Sequence, residues 1–147
     1  MLGIYLGEDT MRIFNIAICL SLLTLISAAR AAEPPRTIVT TQFTQDIANL
    51  PGKKMITLTL DMPPGSKGVP HRHAKSAFIY AYVLSGKVRS AVDDAPVKVY
   101  SPGENWFENP GAHHVVSENA SATEPAKVLV VMVLDANETV LTTPDPK

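Results

Sequence analysis

Cysteine is almost absent: the 147 residues contain one, Cys19, and it lies in a segment that reads as a removable leader. A chain left without cysteine cannot use a thiol nucleophile, a disulfide framework or a thiolate metal site. Charge of either sign is scarce as well, with 13 basic against 14 acidic residues and a formal net charge of −1. That balance gives no basic footprint for nucleic acid and no acidic tail for a basic partner. No apolar run reaches the ~20 residues needed to span a bilayer as a helix. No amphipathic helical period follows the leader, and no internal repeat is visible. The length suits one domain and excludes large multidomain enzymes.

Proline is what the chain has in excess. Twelve prolines exceed the usual ~5% and favour short strands joined by ordered turns over a helical bundle. At the N-terminus, Arg12 precedes an apolar stretch from Ile13 to Ile26, followed by small residues and an Ala29-Arg30-Ala31 cleavage box. This is the pattern of a secretory signal peptide, residues 1–31. The acidic pair Glu8-Asp9 ahead of it is atypical, and Met11 is an alternative start. The expected product is exported, periplasmic or secreted, with no stable membrane anchor after cleavage. It keeps 116 of the 147 residues.

Strand patterns fill the remainder. Residues 32–52 hold a lead-in and a first strand over Thr37–Thr41. Lys54–Met62 partly alternates, placing Ile56, Leu58 and Leu60 on one face. Further strands are expected over Phe78–Leu84, Lys87–Val92, Val97–Tyr100, Asn105–Phe107 and His114–Ser117. A strand is expected over Lys127–Leu134, continuously apolar from Val128 to Leu134 as in a strand buried on both faces. Turn residues at Ser85-Gly86, Asp93-Asp94, Ser101-Pro102-Gly103 and Asn109-Pro110-Gly111 recur at the spacing of an all-β sandwich or barrel. The barrel is placed at residues 53–135 and a tail at 136–147.

All four histidines come as two tight pairs, His71-Arg72-His73 and His113-His114. On a strand, positions i and i+2 project from one face, so His71 and His73 can chelate one ion, while Arg72 points away. Adjacent residues face opposite ways, so one of His113 and His114 is expected to join them. Three imidazoles would hold a divalent transition metal (Fe, Mn, Ni, Cu or Zn) with positions open for water or substrate. Scattered surface histidines are the plainer alternative.

These clusters and their spacing resemble the cupin superfamily, and within it the small bacterial single-domain cupins. Gly65, five residues, His71-Arg72-His73 and the closing Tyr82-Val83-Leu84-Ser85-Gly86 resemble the first cupin motif. Gly103, five residues, Asn109-Pro110-Gly111, Ala112, His113 and His114 resemble the second, with Asn109 where the motif has proline. The resemblance implies a single-domain jelly-roll β-barrel of the RmlC-like kind, a homodimer as in many cupins, and His71, His73 and His114 as metal ligands. It also exposes a departure: the motif glutamate position holds Ile79, and no acidic residue lies between Asp61 and Asp93. The resemblance then implies a three-histidine shell like that of thiol dioxygenases, with Ile79 on the inner face toward the ion. Such a shell keeps the ion's full charge, favours an anionic substrate or hydroxide, and binds metal less tightly.

Several neighbours have simpler roles. Tyr80 and Tyr82 flank Ile79 and read as packing residues; Trp106 and Phe107 read as core aromatics. Glu104 and Glu108 read either as exposed loop acids or as orienters of His113 or His114. Ser76 has no base partner to make it a nucleophile. Two functions follow from the whole pattern. One is an exported metal-binding enzyme, oxygenase-like, acting on a small molecule. The other is a non-catalytic module that binds or senses a metal or small ligand.

Overall fold

The computed structural model describes residues 33–146; the expected signal peptide lies outside the described residues. Ten strands appear, and no helix is present among the described residues. They are β1 (Ile38–Asp46), β2 (Lys53–Met62), β3 (His71–His73), β4 (Phe78–Ser85), β5 (Val88–Val92), β6 (Lys98–Tyr100), β7 (Asn105–Glu108), β8 (His113–Asn119), β9 (Ala126–Asp135) and β10 (Thr142–Pro144). Two five-stranded sheets, ordered β1-β2-β9-β4-β7 and β10-β3-β8-β5-β6, form the jelly roll. All pairings are antiparallel.

Alternation decides what faces the interior. In β4, Ile79, Ala81 and Val83 are buried; in β9, Val128, Met132 and Leu134 are. Leu60 and Val130 pack against both core clusters and join them. Burying a large aliphatic side chain contributes ~1.5–3 kcal/mol, so these positions hold the sheets together. Asn119 ties the loops: its side-chain amide donates to the carbonyls of Met62, Pro63 and Glu124, at 2.8–3.1 Å.

Three elements differ from the sequence reading. The continuous apolar run of β9 does not bury both faces, because Leu129, Val131 and Val133 on its outer side are only half-buried. Beside them Phe78 and Phe107 stack at 6.1 Å, and Phe107 is 60% exposed. Phe107 is therefore not a core aromatic; its neighbours Trp106 and Glu108 take the inward positions of β7. Finally, the segment expected as a tail adds β10, whose Thr142 and Pro144 pair with His73 and His71.

Candidate metal centre

The first histidine pair sits on β3, between β10 and β8. His71 pairs directly with His114 of β8, and Arg72 pairs with His113. Directly opposed residues share a face, so His71, His73 and His114 turn inward together while Arg72 is exposed. His113 stays on the other side, its Nε2 2.8 Å from Asp145 Oδ2. A register shift against β5, between Ala91 and Val92, leaves Val115 as an extra residue in β8. The bulge resets the alternation, so Ser117 also lines the interior.

One nitrogen from each of the three histidines lies within 4.8 Å of the others, close enough to hold a metal ion. Two rings have fixed orientations. His71 Nδ1 donates to the Val69 carbonyl at 2.8 Å, leaving Nε2 free. His114 Nε2 lies 2.9 Å from Ser90 Oγ, and its Nδ1 faces Glu108 at 3.4 Å. His73 is the least satisfied, since neither ring nitrogen has a hydrogen-bond partner although the ring is buried. Its Nε2 stands 3.0 Å from Glu108 Oε2, in poor alignment for a hydrogen bond. Buried polar atoms are ordinarily paired. Unpaired nitrogen and oxygen atoms converging on one point suit a divalent cation, and the donor set is that of a transition metal.

Glu108 is not an exposed loop acid: it is 2% exposed, and of the two adjacent histidines it faces His114, not His113. It also touches His73, and Trp106 Nε1 donates to its Oε1 at 3.1 Å. Its signal in the sequence was the alternation Trp106–Glu108 running into the strand. Glu104 is the turn acid, accepting from the Ser101 backbone N–H at 2.7 Å. Ile79 faces the interior at 1% exposure, Tyr80 lies on the outer face, and Ser76 Oγ accepts from the Asp135 N–H.

The histidines and Glu108 edge a cavity of about 250 Å³ whose other walls include Leu58, Leu60, Ile79, Ala81, Val130 and Met132. Burial pushes the His114 imidazole down to about 4; Glu108 opposes this, and His71 and His73 add to it. His71 is also lowered, chiefly by burial, against the pull of its bond to Val69. Burial raises Glu108, but the His73 contact, the charges of His114 and His73, and the Trp106 N–H together outweigh it. The carboxyl is held below its ordinary value.

These shifts set a pH dependence for the metal-free protein. An unfolded histidine titrates at 6.5 and folded His114 at about 4, so between those values the unfolded chain binds more protons. The stabilisation from neutral His114 is complete above pH 6.5 and is lost as pH falls toward 4, by up to about 3 kcal/mol. The lowered Glu108 adds loss of the same sign at still lower pH. Urea unfolding of chelator-treated protein at pH 7.5 and pH 5 measures it; equal stabilities would mean that His114 titrates as if exposed.

Comparison with known proteins fits this architecture. The family model described as "Cupin domain" matches residues 58–132. No curated protein matches. Among solved structures, a Klebsiella pneumoniae protein with a double-stranded β-helix domain is 18% identical, with a TM-score of 0.58, over 76% of this chain and 86% of its own. The protein TT1209 from Thermus thermophilus is 25% identical, with a TM-score of 0.55, over 67% of this chain and 84% of its own. The DMSP lyase DddQ from Ruegeria pomeroyi is 19% identical, with a TM-score of 0.57, over 99% of this chain but only 59% of its own. With both histidine clusters on facing positions of β3 and β8 and the family match running from β2 into β9, this chain belongs to the cupin domain family.

Proposed function

We propose that the protein is an exported metal-dependent enzyme of oxygenase-like type that acts on a small molecule at His71, His73 and His114. The observation that carries this reading is the convergence of three imidazole nitrogens within 4.8 Å at the edge of an apolar cavity. A divalent transition ion held there supplies Lewis acidity and open coordination positions for substrate. The chain's own residues do the rest. Val69 and Ser90 hold two rings in place from behind. Leu58, Ile79 and Met132 keep bulk water from the inner side and favour a substrate with an apolar body. No lysine or arginine is among the described residues lining the cavity, so an anionic group of the substrate would be met by the ion, with Ser117 and Thr142 as the hydroxyl-bearing residues of the wall.

The fold does not choose the reaction, because unrelated chemistries share it. The test is therefore direct. Protein purified from the exported fraction is expected to carry close to one transition-metal ion per chain by elemental analysis, and a panel of small anionic and phenolic compounds is screened for oxygen consumption. Bound metal without turnover of any compound would favour the non-catalytic binding module. A chain that neither carries nor takes up Fe(II), Mn(II), Ni(II), Cu(II) or Zn(II) would overturn the metal reading itself.

A further inference from the structure

The cavity contains one buried carboxylate, Glu108, whose neighbours are two histidines and the Trp106 N–H; no lysine or arginine among the described residues lining the cavity faces it. Its two oxygens are treated differently. Oε1 is fixed by the Trp106 N–H at 3.1 Å, whereas Oε2 has no hydrogen-bond partner and points at the equally unpartnered Nε2 of His73, 3.0 Å away. An isolated buried anion is costly and is found paired or on a metal.

The strand register shows where this carboxylate comes from. Glu108 of β7 is the direct cross-strand partner of Ile79 of β4. Opposed residues of an antiparallel pair share a face with Cβ atoms ~4.5–5.5 Å apart. A carboxylate on either strand therefore reaches the same part of the cavity. We propose that Glu108 is the fourth protein ligand of the metal, delivered from β7 through Oε2 where β4 presents Ile79. The assignment rests on the three-histidine metal reading above and deepens it. It also changes the charge of the centre: three neutral imidazoles and one carboxylate leave a dication with a single net positive charge. That is enough to bind a monoanionic group and weaker in attraction for a dianion than a three-histidine shell.

The experiment is a calorimetric titration of chelator-treated protein with Mn(II) and Ni(II), backed by infrared difference spectra. Wild type is expected to bind one ion, and His73→Ala none. Glu108→Gln should bind at least about 100-fold more weakly, beyond the 10–100-fold typical of a residue that only orients a ligand. The double variant Ile79→Glu/Glu108→Gln returns a carboxylate to the same space from β4 and should recover at least tenfold. In wild type, metal addition should shift the stretching bands of one carboxylate, a readout that needs no variant to fold. Wild-type affinity in Glu108→Gln, or metal binding by wild type with no carboxylate band change, would overturn the assignment and leave the three-histidine reading standing. Weak binding by Glu108→Gln with no recovery in the double variant would also overturn it, reducing Glu108 to a positioning residue. Absence of any binding by wild type would instead overturn the metal reading beneath it.

Discussion

His114→Ala abolishes stoichiometric metal uptake, while His113→Ala retains it with nearly wild-type affinity; this contrast is the sharpest expected of the centre. The two side chains are one residue apart and on opposite faces of β8. His114 is 6% exposed and turned toward His71 and His73, so its loss removes one of three nitrogen donors and leaves a gap beside Glu108. His113 is engaged with Asp145 at 2.8 Å and with no member of the centre. A partly exposed pair of that kind contributes ~0–1 kcal/mol, so His113→Ala should fold and load normally. Elemental analysis after equilibrium dialysis reads the result. The reverse outcome, uptake lost in His113→Ala and kept in His114→Ala, would mean that β8 is shifted by one residue.

The largest effect on folding is expected at Gly86. This glycine turns the chain between β4 and β5 at φ +71°, and a Cβ there would overlap the Pro125 carbonyl oxygen and lie 2.6 Å from Ala126 Cα. Both obstacles are backbone and cannot swing aside. Left-handed backbone costs a non-glycine residue roughly 1–2 kcal/mol, and the overlap adds overpacking strain of ~1–3 kcal/mol. Gly86→Ala should therefore lose about 3 kcal/mol or more, on the order of 12 °C in Tm at ~4 °C per kcal/mol. Gly52 is the matched control. It has φ +80° but no heavy atom within 4 Å of an added Cβ, so Gly52→Ala should lose only about 1 kcal/mol. Equal shifts in calorimetric scans of the two variants would show that the close approach to Pro125 and Ala126 relaxes.

How much of this could be read before folding depends on whether the information is local. The period of two places His71 and His73 on one side from their spacing alone, and turn residues mark most strand ends. The likeness to a family motif implies His114 rather than His113 as the ligand; the register places His114 opposite His71, and the uptake of the two variants tests the role. The place of Glu108, buried opposite Ile79, is a cross-strand fact. Nothing near residue 108 in the sequence reveals that Ile79 will lie opposite. Phe107 is hydrophobic yet faces outward, because alternation along β7 gives the inner face to Trp106 and Glu108. The strand β10 left no signal, being three residues long and ending in proline, which only an edge strand tolerates.

That short edge strand gives the centre a second kind of dependence. Two of the three histidines sit on a segment with one neighbour in β8 and the other in Thr142–Pro144, and Leu141 and Thr142 themselves wall the cavity. Undocking β10 would therefore loosen the strand that carries His71 and His73, and an ion bound by them would hold β10 down by the same free energy. On the metal reading, occupancy would act as a latch on residues 141–145, and fraying at this edge as a release for the ion.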